Sequence, residues 1–148
     1  MAQSSSSSEH VLLIDASESR EILANLFESG FSHTTVVVCD SVEQAYVYIA
    51  KRLESFRSLP KLVFLVWDSA TPEENQEALT KLKSTPDVQW VPIIVLSNSS
   101  QLSMVQKAYQ LGANSYLIKP LGYDHWLQLL EALRYYWWEI VSFPNVTY

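Results

Sequence analysis

The sequence predicts an α/β fold in which a doubly wound, five-stranded parallel sheet has helices on both faces. Five short apolar runs alternate along the chain with segments whose apolar residues recur at helical spacing. Three of these runs are apolar at every position, as expected for strands buried between two helix layers. Alternation of this kind is typical of a parallel sheet whose strands are joined by crossover helices.

The predicted strands are short and rich in aliphatic and β-branched residues, which favour strands. In chain order they are His10–Asp15, Thr34–Asp40, Leu62–Trp67, Val91–Ser97 and Ser115–Lys119. Because the carboxyl ends of parallel strands meet at one edge of a doubly wound sheet, functional residues are expected there. The residues at those ends are Asp15, Ala16, Val66, Trp67, Asp68, Ser97, Asn98 and Lys119.

Capping signals mark the ends of the predicted helices. The first helix is expected to start at a capping Ser17 and to be closed by Gly30, since glycine readily adopts the conformation that ends helices. Ser41 and Gln44 predict a capping box at the second helix. The run TPEE from Thr71 predicts the third helix, with a proline at its first position. The last two helices are predicted from Ser100 to Leu111, closed by Gly112, and from near Gly122 to beyond Trp138.

The bulk composition narrows the classes of partner. The chain has 148 residues, enough for one domain with a hydrophobic core, predicted over residues 10–142. A net charge of −6 without a basic cluster argues against nucleic acid or an anionic membrane as the main partner. No apolar run is long enough to span a bilayer, so no membrane association is expected.

The two ends of the chain are expected to be tails outside the domain. Residues 1–9 are serine-rich, lack the basic and apolar regions of a signal peptide, and are predicted to be disordered. Residues 143–148 are interpreted as a C-terminal tail. The single cysteine, Cys39, excludes an intrachain disulfide, and together these features favour a cytoplasmic protein.

Several stretches resemble the CheY-like receiver domain of two-component response regulators. VLLID resembles the first strand of that family with its acidic residue Asp15, and VPIIVLS resembles the fourth strand, which ends at Ser97. AYQLGANSYLIKP resembles the signature that leads to the family's lysine and cis-linked proline, here Lys119 and Pro120. The resemblance spans about residues 10–142 and implies a flavodoxin-like sheet of order 2-1-3-4-5. The ending LRYYWWEIVSFPN is similar to the tails of phytochrome-associated single-domain regulators.

The resemblance implies a phosphorylation mechanism. In the family, two acidic residues after the first strand and an aspartate after the third hold Mg²⁺ through oxygen ligands. The third-strand aspartate attacks a phosphoryl donor and becomes an acyl phosphate, while the metal and the lysine offset the developing charge. The phosphate draws in a hydroxyl, here that of Ser97, and an aromatic switch at Tyr116 follows.

This sequence departs from the family at two of the three acidic positions. The residue after Asp15 is Ala16, which removes one carboxylate. Counting forward from Pro60 places Val66 at the acceptor position, whereas counting back from the third helix places Trp67 there. We therefore expect a pseudo-receiver, a non-enzymatic domain without a metal or another cofactor. Its vestigial phosphorylation pocket comprises Asp15, Ala16, Val66, Asp68, Ser97 and Lys119.

Alternatives stay open at this pocket. Asp15 and Lys119 are expected to form a buried ion pair, and Asp68 to be a solvated carboxylate or a partner of Lys119. The alternative function is a phosphorylatable receiver that uses Asp68 as a relocated acceptor with Mg²⁺. Ser97 is expected to bond to the backbone, and Tyr116 could point inward or outward. A small ligand in the vacated pocket is a third function, although no phosphate-cradling glycine loop supports it.

The last predicted helix carries more aromatic residues than one helix face can bury. A core stripe is predicted at Trp126, Leu127, Leu130, Leu133, Trp137 and Ile140. A patch that docks a partner, unless a tail covers it, is predicted at Trp126, Tyr135, Tyr136 and Trp138. The family resemblance implies a homodimer through helix 4, strand 5 and helix 5, or docking to a sensor histidine kinase. Such partners, rather than phosphate, would then set the conformation.

Overall fold

The predicted architecture is confirmed in the structure, a computed structural model that describes residues 9–143. Within that range, a five-stranded parallel sheet has the strand order β2-β1-β3-β4-β5, and helices cover both of its faces. The strands are β1 (His10–Ile14), β2 (Thr35–Cys39), β3 (Leu62–Trp67), β4 (Ile93–Ser97) and β5 (Ser115–Ile118). Most of the two predicted tails, residues 1–8 and 144–148, lies outside the described residues.

The helices alternate with the strands as the sequence predicts. They are α1 (Arg20–Gly30), α2 (Val42–Phe56), α3 (Pro72–Lys83), α4 (Leu102–Gln110) and α5 (Tyr123–Tyr135). A short 3-10 helix at Pro86–Val88 precedes β4, and α5 continues into a π-helical turn at Tyr136–Ile140. No helix within residues 9–143 is long and apolar enough to cross a membrane.

Each face of the sheet has its own hydrophobic core. Successive strand residues point to opposite faces, so Leu12 and Leu65 pack with α2, α3 and α4, whereas Leu13 and Phe64 pack with α1 and α5. β1 and β4 are buried along their whole length, and β3 is buried except at Val66. This burial on both faces explains why the strands are apolar at every position.

The parallel register brings the carboxyl ends of the central strands together. Ile14 at the end of β1 pairs with Leu65 of β3, and Trp67 at the end of β3 pairs with Ser97 of β4. Ser97 in turn pairs with Ile118 at the end of β5. The residues just beyond β1, β3 and β5 therefore share one edge of the sheet, where ligands bind in folds of this kind.

The Ser41 cap of α2 is confirmed, although the reciprocal bond of Gln44 goes to the residue before the cap, whereas the predicted start of α1 is wrong. Ser41 Oγ accepts a hydrogen bond of 3.1 Å from the Gln44 backbone N–H, and Gln44 Oε1 accepts one of 2.7 Å from the N–H of Asp40. α1 begins after Ser19, whose side chain does not cap the helix. Ser17 is not at the cap because its backbone N–H donates to Asp15 Oδ1 at 2.9 Å, which holds it in the preceding loop.

Two further end signals act differently from the prediction. Thr71 precedes α3 as expected, but its Oγ1 lies 3.4 Å from the Asp68 carbonyl and does not cap the helix. Gly30 is the last residue of α1, but it does not adopt the left-handed conformation that was expected to end the helix. Among the described glycines, only Gly112 has a left-handed backbone, with φ 105°. A Cβ at Gly30 would lie 2.6 Å from the Cβ of Leu130, so the glycine permits the close approach of α1 and α5.

The end of the last helix departs from the predicted core stripe. Trp126, Leu130 and Trp137 are buried as expected, but Ile140 is 56% exposed. The π-helical turn is closed by a 2.9 Å hydrogen bond from the N–H of Val141 to the carbonyl of Tyr136. Because such a turn holds more residues than an α-helical one, Ile140 rotates out of the stripe.

Candidate functional site

A cavity of about 430 Å³ opens at the carboxyl edge of the sheet. Its wall includes five residues of the predicted phosphorylation pocket, namely Asp15, Ala16, Val66, Asp68 and Lys119. The sixth, Ser97, is fully buried behind this wall, and Asn98 lines the cavity instead. The loops after β1, β3 and β5 thus bring most of the predicted residues into one site.

Asp15 is the buried carboxylate of the site. Its side chain is held by the Ser17 backbone N–H on Oδ1, it is 2% exposed, and its Oδ2 has no hydrogen-bond partner among the described residues. Arg20 Nη1 donates to the carbonyl oxygens of Asp15 and Ser17 at 3.1 and 3.3 Å, which ties the loop to α1. The next residue, Ala16, is exposed and contributes only a methyl group.

The end of β3 contributes apolar side chains. Val66 is half-buried and packs toward α1 and α5, whereas Trp67 points to the opposite core and is 2% exposed. The Trp67 Nε1 has no hydrogen-bond partner among residues 9–143. Trp67 also lines a second cavity, of about 360 Å³, between α3 and α4. Val66 and Trp67 therefore bring no carboxylate to the cavity, and the first carboxylate after β3 is that of Asp68.

Asp68 lies one residue beyond the strand and is exposed. Its Oδ1 accepts a 2.9 Å hydrogen bond from the N–H of Ala70 within its own loop. The buried side-chain amide of Asn75 binds the backbone of Asp68 through two hydrogen bonds. Asn75 Oδ1 accepts from the Asp68 N–H at 3.2 Å, and Asn75 Nδ2 donates to the Asp68 carbonyl at 2.7 Å. Sequence reasoning missed Asn75; the available signal was a polar residue on the inward face of the first turn of α3.

The expected ion pair between Asp15 and Lys119 is wrong. Among residues 9–143, no carboxylate oxygen lies within 4.0 Å of Lys119 Nζ, although both side chains line the cavity. Asp15 instead bonds to its own loop, which turns the carboxylate toward Ser17.

The bond between Lys119 and Pro120 is trans, so the expected cis proline is also wrong. The trans form is the ordinary, slightly favoured form of such bonds.

Ser97 and Tyr116 are both bonded within the protein. Ser97 Oγ accepts a 3.1 Å hydrogen bond from the N–H of Ser99. Tyr116 points inward: its hydroxyl donates to the Ser99 carbonyl at 2.7 Å, and its ring packs edge-on against Trp67. The Tyr109 hydroxyl accepts from the Tyr116 N–H at 3.0 Å, which fixes the backbone of the same residue.

The Mg²⁺ that the family resemblance implies does not fit these residues. Mg²⁺ requires near-octahedral oxygen coordination, usually through one or two carboxylates and several waters. Asp15 has one oxygen without a partner and that oxygen is buried, Ala16 supplies none, and Asp68 lies beyond the strand with its Oδ1 bonded to the Ala70 N–H. Within residues 9–143, no group of three or more histidine, cysteine, aspartate or glutamate side chains is placed to hold a metal ion.

The predicted docking patch on the last helix is divided between core and surface. Trp126 is 8% exposed and packs near Phe27, with ring centroids 6.4 Å apart. Trp138 is half-buried, with its ring centroid 5.8 Å from that of Phe31. Tyr135 and Tyr136 are 59% and 49% exposed. Exposed apolar side chains also occur along α4, β5 and the start of α5, at Leu102, Tyr109, Ile118, Leu121 and Tyr123.

Known proteins place this arrangement in context. The family model described as "Response regulator receiver domain" matches residues 11–131. Response regulator Rcp1 of Synechocystis sp. is 24% identical over 147 residues, covering 97% of this chain and 99% of Rcp1. The probable methanogenesis regulatory protein FilR2 of Methanothrix harundinacea is 34% identical over 82 residues, or 55% of this chain. That match spans about half of FilR2, 52% of its length.

A solved structure shows the same fold. The phosphorylated cyanobacterial phytochrome response regulator RcpA superposes with a TM-score of 0.70 at 20% identity, covering 92% of this chain and 98% of RcpA. At that identity the likeness concerns the fold alone. The expected similarity to a phytochrome-associated regulator is confirmed at this level.

Proposed function

Since the chain belongs to the response regulator receiver domain family, we propose that it is a receiver of two-component signalling that acts by binding proteins and has lost the usual acyl-phosphate chemistry. The observation that supports this proposal is the end of β3, where the strand finishes in Val66 and Trp67 and neither is a carboxylate. Neither side chain has an oxygen that could attack phosphorus or bind Mg²⁺. Receiver domains are signalling modules, and we propose that this one has no enzymatic activity.

The remaining acidic groups support the same conclusion. Ala16 has a methyl group where the family resemblance implies a second carboxylate. Asp15 Oδ1 already accepts a hydrogen bond from Ser17 and Asp68 Oδ1 accepts one from Ala70, so few free carboxylate oxygens face a cation that prefers six ligands. We therefore propose that Mg²⁺ is not a cofactor of this domain.

The groups that respond to phosphate in the family already have partners in this fold. The Ser97 hydroxyl accepts from the Ser99 N–H, and the Tyr116 hydroxyl donates to the Ser99 carbonyl. The Tyr116 ring is also packed on Trp67. These contacts favour an inward Tyr116 without any phosphate, so we propose that protein partners select the conformation.

The face formed by α4, β5 and α5 supports a protein partner. Leu102, Ile118 and Leu121 are 68%, 50% and 104% exposed there, which is unusual for large aliphatic side chains. We propose a homodimer through this face, with a sensor histidine kinase as the alternative partner, and a cytoplasmic location. Sedimentation of the Leu121→Asp variant tests the dimer, because a buried charge would make it monomeric.

A phosphorylation assay tests the main proposal. The purified chain is incubated with acetyl phosphate and Mg²⁺ and its intact mass is measured, with RcpA, whose phosphorylated form is known, as the positive control. We expect RcpA to gain a phosphoryl group and this chain to remain unmodified. A stable phosphoryl adduct on this chain would overturn the proposal.

A phosphorylatable receiver that uses Asp68 is the second candidate. It is favoured because Asp68, Asp15 and Lys119 line the same cavity, and because Asn75 holds the backbone of Asp68 in a defined place. Under this alternative, the adduct forms in the unaltered chain and in Asp87→Asn, an exposed acid outside the cavity, but not in Asp68→Asn.

A further inference from the structure

Asp15 offers a strong hydrogen-bond acceptor that the folded chain leaves unused. The residue lines the cavity and is 2% exposed, yet its Oδ2 has no partner among residues 9–143. Buried polar atoms are nearly always paired, because an unpaired one loses its hydration without compensation. An unpaired carboxylate oxygen buried beside a cavity therefore indicates a missing donor.

The charge around the cavity favours a positively charged donor. Its lining contains the carboxylates Asp15, Asp40, Asp68 and Glu74 and a single cationic side chain, Lys119. Four carboxylates and one lysine give the lining a formal charge of −3. No three of these acids are placed to hold a metal ion together.

The rest of the wall is suited to an organic cation rather than a hydrated ion. The cavity lining also includes the aliphatic residues Ile14, Val42, Leu65, Val66 and Ala78 and the aromatic residue Trp67. The methylene groups of an organic cation would pack against these apolar side chains. The cavity volume of about 430 Å³ leaves ample room for a small molecule with several heavy atoms.

We propose that this cavity binds an organic cation through a primary ammonium group, with Asp15 Oδ2 as acceptor and Trp67 against the alkyl chain. This inference rests on the proposed function, since a cavity that serves phosphoryl transfer to an aspartate would need Mg²⁺ in the same place. The ammonium belongs to a free amine or to a lysine side chain of a partner. Because Oδ2 has under 1 Å² of accessible surface, the wall beside Asp15 must open locally on binding.

The test is a titration of the ¹⁵N-labelled chain with 1,4-diaminobutane at constant ionic strength, followed by amide chemical shifts. We expect saturable shifts at residues 15–19 and 67–69. The isosteric Asp15→Asn variant should lose at least about tenfold in affinity, since a hydrogen bond to a charged group is lost. Glu18→Gln, an exposed acid of the same loop outside the cavity lining, is the matched control and should bind normally.

Two further arms sharpen the test. Lys119→Met removes the only cation of the lining and should tighten diamine binding severalfold. N-acetyl-lysine amide distinguishes the sources of the ammonium, because tighter binding than the diamine assigns the cavity to a partner's lysine and weaker binding assigns it to a free amine. Either order supports ammonium recognition.

The inference fails if no saturable shifts occur, if Asp15→Asn binds as tightly as the unaltered chain, or if Mg²⁺ produces the same shifts at lower concentration. Should Asp15→Asn not fold, Lys119→Met decides alone, and unchanged or weaker binding then overturns the inference. A phosphoryl adduct on Asp68 would overturn the proposed function whatever the diamine does, so the two failures are distinguishable.

Discussion

The ring of Trp67 packs edge-on against the ring of Tyr116, with centroids 6.3 Å apart and an interplanar angle of 80°. This contact joins the end of β3 to β5, and the Tyr116 hydroxyl extends it to the loop after β4 through the Ser99 carbonyl. The residue type at the end of the third strand therefore bears directly on the orientation of the aromatic residue. A small acidic residue at position 67 could not make this contact.

Removing the Tyr116 hydroxyl should loosen the loop after β4. In Tyr116→Phe the ring still packs on Trp67, but the 2.7 Å hydrogen bond to Ser99 is lost. We expect a loss of about 1 kcal/mol in the free energy of unfolding, measured by urea denaturation, and faster amide exchange at residues 99–101. Tyr123→Phe is the control, because that exposed side chain makes no hydrogen bond among the described residues. Equal stability of the two variants would show that the hydrogen bond from the Tyr116 hydroxyl to the Ser99 carbonyl does not stabilise the fold.

Asn75 should be required for the conformation of the Asp68 loop. In Asn75→Ala, the two hydrogen bonds to the Asp68 backbone disappear from a position that is 6% exposed. We expect a loss of about 1–3 kcal/mol in the free energy of unfolding and increased backbone mobility at residues 68–71 by NMR relaxation. The half-buried neighbour Gln76, whose side chain makes none of these bonds, gives the control variant Gln76→Ala. If Asn75→Ala is as stable as the unaltered chain and residues 68–71 stay rigid, the two hydrogen bonds from Asn75 to the Asp68 backbone are not needed for the loop conformation.

Gly30→Ala should destabilise the contact between α1 and α5. The new methyl would lie 2.6 Å from Cβ and Cδ1 of Leu130, so one helix must shift, at a cost of about 1–3 kcal/mol. The gain in helix propensity from glycine to alanine is at most about 1 kcal/mol and does not compensate. Thermal or urea unfolding measures the difference.

Gly122→Ala provides the matched control for that substitution. Gly122 has an extended backbone, and a methyl there meets only His125 Nδ1 at 3.5 Å, an ordinary contact. Because Gly122 is the N-cap of α5, where alanine is less favourable than glycine, we expect a loss of at most about 1 kcal/mol. Should Gly30→Ala prove no more destabilising than Gly122→Ala, the close helix approach would be adaptable rather than rigid.

The sequence predicts the fold well because its signals are local and repeated. Alternating apolar runs, the cap at Ser41 and the left-handed Gly112 each depend on a few neighbouring residues. Gly30 shows the limit: its position suggested a helix stop, whereas its actual constraint is Leu130, a hundred residues away in the chain. No local pattern carries that information.

The candidate site is less predictable because side-chain orientation is decided by tertiary packing. The loop after β1 turns Asp15 toward Ser17 and leaves Lys119 without an acid within 4.0 Å, among the described residues. The inward Tyr116 depends on Trp67 reaching it across the sheet. The residues of the pocket were identified from their strand ends, but their pairings required the three-dimensional structure.

Cys39 should make the protein less stable in alkali. Burial, with a smaller contribution from the charge of Asp40, raises the pKa of the Cys39 thiol to about 11. An unfolded chain releases this proton at a lower pH, so between about pH 9 and 11 the unfolded state binds fewer protons and the free energy of unfolding falls as pH rises. We expect a loss on the order of 1 kcal/mol near pH 10, allowing for partial screening by solvent.

The Cys39→Ala variant isolates this contribution. Burial also raises the pKa of Tyr48, which weakens the fold in the same direction. Because the charge of Cys39 adds to that rise, the difference between the two proteins reports the thiol together with this smaller coupling. Urea unfolding from pH 7 to pH 10.5 should therefore show a shallower decline for Cys39→Ala than for the unaltered chain. Iodoacetamide should modify the native thiol slowly at pH 8, since the neutral form is unreactive. Parallel pH profiles, or rapid modification at pH 8, would mean that the thiol ionises as freely in the fold as in the unfolded chain.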